Sequence, residues 1–107
     1  MQRYGMVLKV KPAKLQEYKR LHRGVWPEVL DMIAKCNIRN YSIYHKAGFL
    51  FSYFEYYGSD FKKDMAKMAA DPKTQEWWSV CKPCQEPLET RAEGEWWANM
   101  EEVFHTD

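Results

Sequence analysis

The period of the apolar residues switches repeatedly along the chain, and the order of the switches restricts the fold more than any single motif does. Tyr4, Met6, Leu8 and Val10 alternate with Arg3, Gly5, Val7, Lys9 and Lys11, the pattern of a half-buried strand. Pro12 ends it. From Ala13 the spacing becomes helical through Leu15, Tyr18, Lys19 and His22, is interrupted at Gly24 and Pro27, and resumes through Val29, Leu30, Met32 and Ile33 to about Cys36. Pro27 suits the first turn of the second piece, and Glu28 falls near the positive end of its dipole. Arg39 to Lys46 and Phe49 to Tyr57, with Gly48 between them, predict a β-hairpin. Ser59-Asp60 offers an N-cap to a helix over Phe61 to Ala70, and Asp71-Pro72 opens a short helix that carries Trp77 and Trp78. Pro83, Pro87 and the charged run from Glu89 to Glu95 predict a loop, and Trp96 to His105 a last strand.

Strand, helix, strand, strand, helix, strand is the split βαβ, ferredoxin-like order: an α+β fold with an antiparallel sheet and helices on one face. A chain of 107 residues buries one core, so residues 1–107 are expected to form one domain. One such sheet leaves its second face bare. Two copies packed sheet to sheet would cover it, which predicts a homodimer, a dimeric α/β barrel, with the stretch from Met100 to Phe104 near the subunit contact.

Sixteen basic against fifteen acidic residues give a formal charge of +1, with no Lys/Arg concentration, so neither a nucleic acid nor a membrane surface is expected as a partner. No apolar run approaches the roughly 20 residues that span a bilayer, and the opening residues lack a signal-peptide pattern, which makes the cytoplasm the expected compartment. Against a mean hydropathy of −0.67 the chain carries five Trp and seven Tyr. Such rings suit a pocket or an interface, or they fill a small core. Trp77-Trp78 and Trp96-Trp97 are adjacent pairs, and neighbours cannot both point to one side of a regular element, so one ring of each pair must face something besides the core.

Tyr18, His22, Trp26-Pro27-Glu28, Tyr41 and Trp77-Trp78 together supply the parts of a sugar site: flat rings for the C–H faces of a pyranose, and groups that hydrogen-bond and transfer protons. Tyr18 and His22 stand one helical turn apart, on one face. An imidazole titrates close to neutrality, which makes His22 the candidate acid or base, although a helical histidine at such a spacing is more often a packing or surface residue. Cys81-Lys82-Pro83-Cys84 has redox spacing but follows a Trp-rich helix and precedes a proline-broken loop, so two reduced thiols without a catalytic role are expected. Glu101 and Glu102 either bring a carboxylate to the site or are ordinary strand residues.

Tyr18, the run His22-x-x-x-Trp26-Pro27-Glu28, Asn40-Tyr41-Ser42-Ile43-Tyr44, Asp71-Pro72 followed by Trp77-Trp78, and Met100-Glu101-Glu102-Val103-Phe104 resemble the L-rhamnose mutarotase family over nearly the whole chain. The resemblance implies a dimeric ferredoxin-like α+β barrel and an enzyme without a cofactor or metal that interconverts the α and β anomers of a 6-deoxy-hexose. It places the family's proton donor on His22 and its substrate-binding positions on Tyr18, Tyr41, Trp77 and Trp78. Arg23-Gly24 stands where better known rhamnose enzymes carry Asn-Pro, and the stretch from Cys81 to Glu95 is unlike theirs, which leaves L-rhamnose and L-fucose both open as the sugar. A sugar-binding module without catalysis and an oxygenase on the same barrel are the other classes compatible with these residues.

Overall fold

In the computed structural model, which describes every residue from Met1 to Asp107, the sheet is built on β1 (Gln2–Val10). One edge of β1 pairs antiparallel with β3 (Phe49–Tyr56), which pairs in turn with β2 (Ile38–Lys46). The opposite edge of β1 takes two short strands, β4 (Gln85–Glu86) and β5 (Ala98–Met100), so the order is β2-β3-β1-β4 with β5 alongside on β1. This is the expected ferredoxin-like sheet with its last strand split in two. The helices are α1 (Leu15–His22), entered through a 3-10 turn at Pro12–Lys14, α2 (Pro27–Lys35), α3 (Phe61–Ala70) and α4 (Pro72–Cys81). No helix is long and apolar enough to cross a membrane.

Alternation decides which side chains meet the helices. On β1, Tyr4, Met6, Leu8 and Val10 face them, and opposite them on β3 stand Phe54, Ser52 and Leu50 in register with Tyr4, Met6 and Leu8. The apolar packing divides along the sheet. One cluster gathers Leu8, Val10, Tyr18, Val29, Leu50, Trp77, Cys81 and Cys84 under α1, α2 and α4. The other gathers Ile38, Phe54 and Tyr56, with Tyr4, Phe61, Met65 and Met68 packed on them from β1 and α3. Asp60 and Asp71 start α3 and α4 as expected: each carboxylate accepts a backbone N–H of the first turn, from Lys63 and Thr74 respectively.

Two backbone features set the geometry of β2. Its hairpin with β3 turns through Ala47 and Gly48, both at positive φ (52° and 82°), the two-residue turn whose twist matches the strands. A bulge lies between Arg39 and Ser42, where Asn40 sits at φ 51°, a region asparagine tolerates. The extra residue reverses the facing of the strand, so that Ile38 before the bulge and both Tyr41 and Ile43 after it point toward the helices.

The expected last strand over Trp96 to His105 is corrected by the structure, which keeps only Ala98–Met100 in the ladder. One end of β1 is already taken by β4, and residues 101–107 leave the ladder and are exposed. Val103 and Phe104 remain 87% and 79% exposed because a single chain offers them nothing to pack on.

Candidate active site

α1 ends at His22, and its last turn lies across the helix-facing side of the sheet near β2. A shallow cavity of about 130 Å³ opens there, lined by Tyr18, Lys19 and His22 of α1 and by Ile43, Tyr44 and His45 of β2. The Tyr18 and His22 rings stack at 4.2 Å, as their one-turn spacing requires. His22 meets the edge of Trp77 at 5.3 Å, and Trp77 meets Trp26 edge-on at 5.2 Å. Trp26, the extended residue before Pro27, and Trp77, in the middle of α4, thus wall the imidazole from behind.

The tautomer of His22 follows from its partner. Nδ1 lies 2.9 Å from the Tyr18 carbonyl oxygen, which can only accept, so Nδ1 carries a proton. In the neutral ring Nε2 is therefore a free acceptor. Burial holds the imidazole below its ordinary value, and the bond to the Tyr18 carbonyl recovers part of that shift. Near pH 7 the resting group is the neutral base.

Tyr18 is 4% exposed, and burial pushes its phenol up, against the opposing pull of a hydrogen bond from Gln85. The bulge turns Tyr41 to the helix side of the sheet, where its ring tilts against Phe54 at 5.4 Å and lies outside the lining of the cavity. Its side chain is 41% exposed, yet burial of the hydroxyl end pushes the phenol up to about 12. Both tyrosines keep their protons at neutral pH. The neighbouring Trp residues divide: Trp77 is 6% exposed and belongs to the core, whereas Trp78 is half-buried, with the Lys82 ammonium 5.6 Å from its ring centre.

The structure therefore gathers Tyr18, His22 and Trp77 in direct contact, brings Tyr41 within electrostatic reach of Tyr18, and sets Trp78 beside Lys82 instead of against His22. Cys81 and Cys84 are free and buried in the cluster beneath, with burial pushing Cys81 up to about 12 and raising Cys84. Neither is a thiolate near pH 7. Glu102 pairs with Arg3 at 3.1 Å on the other face of the sheet, away from His22. Gln85, unremarked in the sequence, is 6% exposed and donates to the Tyr18 hydroxyl at 3.2 Å.

The model of the L-rhamnose mutarotase family matches residues 3–106. An L-rhamnose mutarotase of Oceanobacillus iheyensis is 31% identical, with 100% of both chains covered. Among solved structures, an L-rhamnose mutarotase from Formosa agariphila superposes with a TM-score of 0.79 at 20% identity, covering 100% of both chains. The tetracenomycin F2 cyclase of Streptomyces glaucescens, a polyketide cyclase, superposes at 0.75 with 14% identity, covering 100% of this chain and 98% of that one. At such identities the two structural likenesses speak for the fold.

Proposed function

We propose that this chain, which belongs to the L-rhamnose mutarotase family, is an isomerase that interconverts the α and β anomers of L-rhamnose through the site around His22. The observation that carries the chemistry is the fixed tautomer of His22, which leaves Nε2 as a free acceptor beside the Tyr18 ring. Nε2 takes the proton of the anomeric hydroxyl as the C1–O5 bond breaks and C1–O1 becomes a carbonyl. The imidazolium so formed returns that proton to O5. The open-chain aldehyde rotates about C1–C2 and closes on its other face by the reverse steps. Proton transfer by one positioned group is worth about 10²- to 10⁴-fold. Because His22 rests neutral, it acts as a base before it acts as the acid.

Tyr18 and Tyr41 donate to sugar oxygens, a role their raised phenol values support. Trp77 holds the imidazole edge-on, and the more accessible ring of Trp78 takes an apolar face of the sugar. Saturation-transfer NMR on L-rhamnose, with L-fucose and L-mannose in parallel, tests the activity. Faster anomer exchange of L-rhamnose is expected, and exchange at the uncatalysed rate for all three sugars refutes the reading.

The working unit of this reading is a homodimer, in the cytoplasm, where three free thiols are at home. Tyr44, at 66% exposed, and Phe51, at 36%, sit on the helix-free face of the sheet, and Met100, Val103 and Phe104 lie open along its margin. A second copy would bury these surfaces. Sedimentation equilibrium should find a dimer, and a stable, active monomer at micromolar concentration would remove it.

A further inference from the structure

The split last strand brings together two residues that the mechanism above does not use. β4 sets Gln85 opposite Val10, β5 sets Ala98 opposite Val7, and the loop between them folds the Trp96 side chain back onto Gln85. The Trp96 indole donates from Nε1 to Gln85 Oε1 at 2.7 Å, and Gln85 Nε2 donates to the Tyr18 hydroxyl at 3.2 Å. Lys82 lies 5.6 Å from the Trp78 ring centre and 5.2 Å from that of Trp96, which holds the indole against the end of α4.

We propose that Trp96 and Gln85 are positioning residues that lock the hydrogen-bond polarity of Tyr18, so that its phenol meets the sugar as a donor. The inference rests on Tyr18 being a substrate-binding residue. An indole N–H only donates, so the amide oxygen of Gln85 must turn toward Trp96 and its NH₂ toward Tyr18. The Tyr18 oxygen is thereby held as the acceptor of that bond, and its single proton must point elsewhere. No other protein group takes that proton. Gln85 is 6% exposed, so water cannot readily substitute for either of its partners. A phenol free to rotate could accept from a sugar hydroxyl or donate to a sugar oxygen, whereas the locked one donates in every encounter. The order imposed before binding lowers the entropy lost on binding.

The test combines a sugar-independent arm with a kinetic one. In the free protein the NMR signals of the Gln85 side-chain amide should shift in both Trp96→Phe and Tyr18→Phe, and an amide indifferent to both overturns the relay. For exchange of L-rhamnose, Gln85→Met should lose about three- to tenfold, the scale of one net hydrogen bond, and nothing further in a Tyr18→Phe background. Additive losses would make Gln85 merely structural. Gln85→Glu reverses the polarity: its carboxylate accepts from Trp96 and from Tyr18, withdrawing the proton from the sugar, while its protonated form donates to Tyr18 again. Measured against wild type at the same pH, so that the loss of the His22 base cancels, exchange by that variant should therefore recover as the pH falls, and a ratio that does not change with pH overturns the proposal. Should Gln85→Glu not fold, Trp96→Phe in the same cycle with Tyr18→Phe decides the matter, because it removes one N–H from a side chain that is 37% exposed. A wild-type protein with no catalysed exchange but with the expected amide shifts would sink the mutarotase reading and leave the polarity of Tyr18 standing.

Discussion

Tyr18 and Tyr56 lie in different halves of the core, at 4% and 2% exposed, and their hydroxyls are used in different ways. Tyr56 donates to the Asp64 carboxylate at 2.5 Å and accepts the Asp60 backbone N–H at 3.0 Å, so its proton is consumed in tying β3 to α3. Tyr18 accepts from Gln85, and no protein group takes its proton. The rings around them differ in the same sense. Tyr4, Phe54 and Phe61 stack on one another, Tyr4 against Phe61 at 4.3 Å, with no imidazole among them, whereas the stack on Tyr18 is an imidazole with an unused nitrogen. The α3 half closes its polar accounts inside the protein, whereas in the α1 half a donor and an acceptor, on two residues that line one cavity, have no protein partner. Burial alone does not separate a site from a core; the unspent hydrogen-bonding capacity does.

That contrast breaks first at His22. His22→Ala should lower catalysed exchange by at least about 100-fold, the lower end of what one positioned acid/base group supplies, while the far-UV spectrum stays that of the wild type. An exchange rate equal to wild type would put the open acceptor out of the chemistry. Next come the adjacent Trp residues. Trp77→Ala empties a core position, 6% exposed, and should cost about 3–5 kcal/mol of stability in urea unfolding. Trp78→Ala should leave the fold nearly intact and raise KM. Equal effects of the two variants on stability would contradict their different burial. The tyrosines come third. Tyr18→Phe should lower exchange per folded molecule about three- to tenfold, and Tyr56→Phe should lower the denaturation midpoint with exchange unchanged. A loss of exchange in Tyr56→Phe would erase the distinction between the halves.

The half that reads as ordinary core is also the half most legible in the sequence. Alternation through Tyr4 and Met6, the cap at Asp60 and the helical recurrence of Phe61, Met65 and Met68 are local signals, and each element forms where they put it. In the site half, the pairing of Tyr18 with His22 and the start of α4 at Asp71-Pro72 are local as well. What brings Tyr41 to the helix side is not: the bulge depends on Asn40 adopting a positive φ, which nothing in an alternating pattern announces. Gln85 lies in a strand of two residues, too short for any period, and its side-chain hydrogen bonds run to Trp96 and Tyr18, 11 and 67 residues away. The last strand fails for the opposite reason. Trp96 to His105 alternates well enough, but a ladder needs something for Val103 and Phe104 to pack against, and one chain does not supply it.

The smallest expected effect is in the pH dependence, and it assigns each half its own window. His22 is held below the ordinary imidazole value of 6.5 mainly by burial, so below pH 6.5 the unfolded chain binds protons that the folded chain refuses. Stability should fall as the pH drops from 6.5 toward the folded value and then level off, with catalysed exchange falling once the neutral base is lost. Asp64 behaves in the acid range. Hydrogen bonds from Tyr56 and Asn37 hold its carboxyl below the ordinary 3.8, so the stability it contributes is fully present above that value and lost as the pH falls through the folded one. Urea unfolding at a series of pH values separates the two. His22→Ala should flatten the slope just below pH 6.5 and leave the acid limb, while Tyr56→Phe should do the reverse. If His22→Ala keeps the upper slope, the imidazole is not the group held neutral, and the open acceptor beside Tyr18 loses its physical basis.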